Sequence, residues 1–377
     1  MDHSPRSGPG SRLFIVAPAA VLLLLGLNAG LLLMGVPLPM PAARLPDMHA
    51  PLLVFGFVGT LISLERAVAL RAAWAYAAPI LFATGAIATL LPLPLSIGQA
   101  LITAAAVGHC AQYVAIWRRQ PMTATAVQGT GAVIAVAAAV AWCGGVPPAW
   151  LVPQLGAFLV LTIAGERLEL ARLAAPGRFA ETLLLWLGVG LAASALLSLT
   201  MPVVAVPLAG LALLAIVAWL VRYDVARATI RQRGLPKYVA VCLFAGYAWL
   251  AVAGVGWLLG GPQTEGPLYD ATTHAVFLGF VITMIMAHAP IILPAVLRVR
   301  IPFHPVLYLP VALLQASLLV RVVVGDAWGS VPGLQLSGIG AAAAMVLFGV
   351  AAVTLSLRDR ARERARGMKE DEARVTA

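Results

Sequence analysis

Apolar runs of about 20 residues follow one another from Leu13 to Leu357, and about 20 mainly apolar residues are what one helix needs to cross a bilayer. Only 11% of the chain is charged, against roughly 25% in soluble domains. The stretches between runs are too short for a sizeable extramembrane domain. Twelve spans are expected, over 12–36, 46–70, 73–92, 95–117, 122–144, 149–172, 180–200, 203–222, 237–260, 270–293, 305–324 and 333–357. Several neighbours are separated only by a hinge such as "LPLPL" or "GGVPP", which demands tight helical hairpins. The expected fold is an all-α integral membrane protein. Residues 1–11 form a tail, 12–357 one transmembrane domain and 358–377 a charged tail. The first run has no cleavage-type ending and reads as a retained span, not a secretory signal.

The net charge of +10 would suggest nucleic acid as a partner of a soluble protein, but topology accounts for it here, and the expected partner is the lipid bilayer. Placing both termini and the even-to-odd loops on one side leaves only Arg44 and Arg321, of 25 Lys and Arg residues, on the other. Such asymmetry puts both termini in the cytoplasm of a bacterial inner-membrane, multi-pass protein. The tail "RDRARERARGMKEDEARVTA" reads as a solvated cytoplasmic extension, with attraction to anionic headgroups the alternative. Cys110, Cys143 and Cys242 are scattered, without a CxxC pair, and read as small reduced hydrophobes.

Ionisable residues inside a membrane are costly and mark function by default. His3 and His304 lie outside the spans, whereas His49, His109, His274 and His288 lie inside them. Spans 2, 4 and 10 run in the same direction, so His49 and His274 fall near the outer boundary at nearly equal depth. His274 and His288 are 14 residues apart, roughly 21 Å along a helix and within about 40° of one face. Facing imidazoles on neighbouring helices are what a haem iron needs for two axial bonds. Gly56, Gly59 and Gly279 are expected to supply a slot for the porphyrin, although glycine also serves plain helix contact. The alternative for His49 and His274 is hydrogen bonding at the outer interface.

Two further pairs, Glu65-Arg66 and Glu166-Arg167, stand at the inner boundary of spans 2 and 6. Adjacent helical residues do not face each other, so each Glu is expected to find its Arg elsewhere, on the other helix. Interfacial anchoring is the plain reading, and proton entry or substrate gating the functional one. The segments "GFVGTLISLER", "GAFLVLTIAGER" and "GFVITMIMAHA" share one pattern on spans 2, 6 and 10. Repetition every four spans implies three pseudo-symmetric arcs of four helices with 2, 6 and 10 on the inside.

Twelve spans with histidines at the outer ends of spans 2 and 10 resemble subunit I of the haem-copper oxidases, where those positions ligate the low-spin haem. "DMHAPLLVFGFVGT" and "ATTHAVFLGFVITMIMAHAPIILPAVL" are more similar still to the NnrS family, haem- and copper-containing membrane proteins associated with nitric oxide. The resemblance covers the arrangement of all 12 spans, but only these two segments match at motif level. It implies haem b on His49 and His274. Spans 6 and 7 hold no histidine, so a dioxygen-reducing binuclear centre is not expected. Copper at His288 with His109 stays open as a metal site.

The leading expectation is therefore a haem-binding protein of NnrS type. It would respond to nitric oxide or a related small gaseous ligand, or transfer electrons around it. Electrons would come from quinone or a separate redox protein, and no catalytic residue is assigned. A diheme b cytochrome is the second reading, with His109 and His288 as the inner pair, although span 2 carries Glu65 and no second histidine near that level. A transporter or channel without cofactor is the third, and an assembly or scaffold role the fourth.

Overall fold

The computed structural model describes residues 9–36, 44–171, 177–297 and 299–375. Residues 1–8 of the N-terminal tail, and Arg6, Arg172 and Arg298 of the charge count, lie outside the described residues. Side chains 9–14, 295, 297 and 364–375 do so too.

The described chain is all helical, without a strand. Twelve of its helices are long and apolar enough to cross a membrane: α1 Ile15–Leu33, α2 Pro46–Leu70, α3 Ala73–Leu90, α4 Leu95–Arg119, α5 Thr123–Cys143, α6 Pro148–Ala171, α7 Gly177–Leu197, α8 Pro202–Tyr223, α9 Leu235–Gly260, α10 Gly266–Pro294, α11 Pro305–Ala327 and α12 Val331–Glu363. Each lies within a few residues of a span read from the sequence, with larger shifts at some ends. Apolar length is a local property, and a bilayer leaves the backbone no partner but its own helix. The α12 helix runs unbroken through the charged tail to Val375.

Contacts between spans close an outer ring in the order α1, α3, α4, α5, α7, α8, α9, α11, α12 and back to α1. The remaining three, α2, α6 and α10, stand inside it. In α6, 83% of the apolar window is buried by protein, in α10 72% and in α2 61%; the next highest is α9 at 56%. Lipid-facing helices must keep an apolar outer face, so burial this deep identifies the inner three. Small residues let the ring helices touch backbone to backbone. A Cβ on Gly210 of α8 would lie 2.6 Å from the Gly254 carbonyl oxygen of α9.

Three stretches widen into π-helical turns: Leu52–Gly59 in α2, Ala275–Ile282 in α10 and Val320–Ala327 in α11. The first two begin within three residues of His49 and His274, and the third contains Arg321 and Asp326. Such turns are rare and concentrate at functional sites.

Candidate functional site

Span α2 enters through a tight turn over Pro46–Met48, which sets His49 in the first turn of the helix. The His49 Nδ1 lies 2.8 Å from the Gly26 carbonyl oxygen of α1. Its ring passes directly over Gly30, where a Cβ would come 2.6 Å from Cε1. On α10, His274 Nδ1 lies 2.8 Å from the Asp270 carbonyl oxygen and 3.3 Å from Asp270 Oδ1. A carbonyl only accepts, so in the neutral rings both Nδ1 atoms carry the proton and both Nε2 atoms carry the lone pair. Neither Nε2 has a hydrogen-bond partner among the described residues. An Nδ1–H tied to a carbonyl is the arrangement that fixes tautomer and ring orientation in metal-ligating histidines.

Both rings line one cavity of about 640 Å³ between α1, α2, α6, α10, α11 and α12. That volume is in the range of small-molecule and cofactor pockets, roughly 300–1,000 Å³. Phe57, Leu155, Phe277 and Met345 line its apolar length. The charged groups gather where α2 and α10 begin and α11 ends. There Arg321 grips Asp270 through Nε at 2.6 Å and NH2 at 2.7 Å, with Asp326 also on the wall. A second hollow of about 30 Å³, beside Trp150 and Trp257, is lined by no histidine.

Gly56, Gly59 and Gly279, expected to form the porphyrin slot, do not line this cavity. Gly56 packs on Ala86 and Leu22, Gly59 on Phe82, and Gly279 on Trp249 and Leu318. They serve helix contact: with no Cβ they admit side chains of α1, α3, α9 and α11 against the backbones of α2 and α10. The glycines on the wall include Gly30, Gly325 and Gly338.

At the opposite end, Arg66 NH2 donates to Glu65 Oε1 at 2.7 Å and to Glu166 Oε1 at 3.2 Å. Glu166 thus meets the arginine of the other helix. Glu65 does not: the flexible arginine side chain folds back onto its own neighbour while still reaching α6. Arg167 turns elsewhere. Its Nε and NH2 hold Asp224 at 2.7 Å each, and its NH1 approaches His288 Nε2 at 3.0 Å. The Tyr247 hydroxyl donates to Asp224 at 2.6 Å, and the Ala226 amide at 2.7 Å. Burial disfavours the Asp224 carboxylate, but these donors, Arg167 foremost, hold its carboxyl below the ordinary value.

His288 also has Nδ1 2.7 Å from the Met284 carbonyl oxygen. With Nε2 accepting from a guanidinium, it has no nitrogen left for a metal, and the cation alongside repels one. The expected copper site at His288 with His109 and the inner haem pair of the diheme reading both need that nitrogen. His109 sits instead among Phe82, Tyr113 and Phe158, with Nδ1 2.8 Å from Gln112 Oε1.

The groups not singled out in the sequence are Asp270, Asp326, Asp224, Tyr247 and Gln112. An arginine inside an apolar run, Arg321 in "LLVRVVVGD", was the available signal for the first two, since an intramembrane charge needs a counter-charge.

No curated protein and no solved structure matches the chain. A family model described as a domain of unknown function, DUF8744, matches residues 12–357, and the chain belongs to that family.

Proposed function

We propose that this chain is a haem b-binding protein of NnrS type in the bacterial inner membrane, with both termini cytoplasmic and its spans in three pseudo-symmetric arcs. The observation that carries the proposal is a pair of imidazoles on different helices. Both are pinned through Nδ1, both have a free Nε2, and both line one apolar cavity of about 640 Å³. These residues fit the group. His49 and His274 would hold the iron, and Phe57, Leu155, Phe277 and Met345 would exclude water from the macrocycle. When bound, haem held by both imidazoles supplies one-electron chemistry, and the link to a small gaseous ligand such as nitric oxide rests on the NnrS resemblance. The Gly26 and Asp270 carbonyls orient the two rings, and the Arg321–Asp270 pair keeps charge at the cavity's polar end. Electrons are assigned to quinone or a separate redox protein. No copper is assigned, because His288 has no free nitrogen.

The test is the purified protein, expressed with haem supply. A b-type haemochrome at about one iron per chain is expected, with the Soret band lost in His49→Ala and in His274→Ala. A colourless protein without iron overturns the proposal in favour of transport, and a Soret band untouched by both substitutions overturns the ligand pair.

A further inference from the structure

Buried polar atoms in folded proteins nearly always have partners, and exceptions mark bound water or a bound group. Five side-chain atoms between α2, α4, α5 and α6 are buried with no partner among the described residues: Thr60 Oγ1, Arg66 Nε, His109 Nε2, Tyr113 Oη and Gln128 Nε2. They form one neighbourhood. The His109 and Tyr113 rings are 5.0 Å apart between centroids. Tyr113 lies against Gly129, with 3.7 Å between its Cβ and the position a Cβ there would take. Gln128 packs on Gly165, next to Glu166, which holds Arg66 at 3.2 Å. Thr60 follows Gly59, which packs on Phe82, and Phe82 stands edge-on to His109 at 6.4 Å. None of the five atoms belongs to the wall of the large cavity.

The chemistry of the five identifies what they bind. Gln112 Nε2 donates to the Ser63 and Ala75 carbonyls, at 3.0 and 2.7 Å. Its Oε1 is therefore the atom facing His109 Nδ1, which must be the protonated nitrogen, and Nε2 carries a lone pair that accepts. Arg66 Nε and Gln128 Nε2 can only donate, and the Thr60 and Tyr113 hydroxyls do both. An anion would leave the His109 lone pair unpaired. A metal ion would find a single nitrogen and stand near a guanidinium. Water, small and neutral, answers donors and acceptors together.

We propose that α2, α4, α5 and α6 enclose a file of ordered water. It begins at Glu65 and Glu166, whose side chains remain 26% and 18% exposed, and ends on His109 Nε2. Along it a proton passes from a protonated Glu166 to water, from each water to the next, and onto His109 Nε2, giving an imidazolium. The return reverses each step, and only O–H and N–H bonds exchange. The charges close enough to act on Tyr113 are Arg66, Glu166, Glu65 and Glu169. The file is independent of whether haem binds.

Water-edited solid-state NMR of the 15N-histidine-labelled protein in liposomes tests this, since the chain has only 6 histidines and His109→Gln identifies the His109 signal. The exposed His304 gives the wet reference, and His288, with both nitrogens bonded to protein, the dry one. We expect the His109 imidazole to receive water magnetisation nearly as fast as His304 and several-fold faster than His288. Tyr113→Phe, which keeps the ring but removes the hydroxyl, should slow it several-fold. A wild-type His109 signal that builds up as slowly as His288 overturns the proposal. So does one that shifts in proportion to added copper(II) and saturates at one ion per chain.

Discussion

At Gly30 a single hydrogen decides how the His49 ring stands, because a methyl group would come 2.6 Å from Cε1. Alanine suits a helix interior better than glycine by about 1 kcal/mol, so Gly30→Ala should leave thermal stability unchanged or slightly raised. It should nevertheless turn the imidazole, and haem retained after purification should drop sharply, as read from the Soret absorbance per chain. Asp224 lies in the loop beyond α8 and is gripped by Arg167, with side chains 1% and 5% exposed. Asp224→Asn keeps the shape but leaves a buried guanidinium without its counter-charge, a loss of about 3–5 kcal/mol that thermal unfolding in detergent would register. The carboxyl is held below its ordinary value in the fold, so between the folded and unfolded values the unfolded chain binds more protons and stability rises with pH. The contribution is complete above the unfolded value of roughly 4 and is lost as pH falls through the depressed folded one. Acid should therefore lower the wild-type melting temperature in that window more steeply than that of Asp224→Asn.

Within an element, proline and π-helical turns release backbone carbonyls that something must satisfy. Pro290 has no N–H for the Met286 carbonyl four residues back, and the fully buried Tyr238 of α9 supplies its hydroxyl at 3.1 Å. At the end of the π-helical turn of α10, Thr283 Oγ1 donates to Leu278 O at 3.3 Å and accepts from Gln315 of α11 at 2.9 Å. These bonds tie α10 to its neighbours at the level of its own irregularities. Tyr238→Phe removes one of them at nearly constant volume, and a destabilisation of about 1 kcal/mol is expected, measured by denaturant unfolding in detergent. The prolines were visible in "HAPIILP". The π-helical turns were not, because one added residue per turn leaves an apolar pattern apolar.

For the whole molecule, the shared pattern on spans 2, 6 and 10 led to an expectation about which helices stand inside, and those three are the most buried. A helix surrounded by protein needs no lipid-facing stripe and can carry small and polar residues along its length. The location of His49 and His274 near one end of the bundle was likewise legible, because depth follows from counting residues along a span. Their shared cavity was not, since its wall draws on six helices and on the rotation of each about its own axis. Nor was the choice of Arg167 for Asp224 and His288 in place of a carboxylate on α2. By itself the sequence determined twelve helices long and apolar enough to cross a membrane and the height of each ionisable group along its helix, because apolar length and axial rise are local quantities. Tertiary structure alone decided which imidazole keeps a free nitrogen, which glycine faces a cavity and which charges pair. Those outcomes depend on helix rotation and on contacts between residues far apart in the chain, such as Arg167 and His288, 121 positions apart, and no spacing along one helix encodes them.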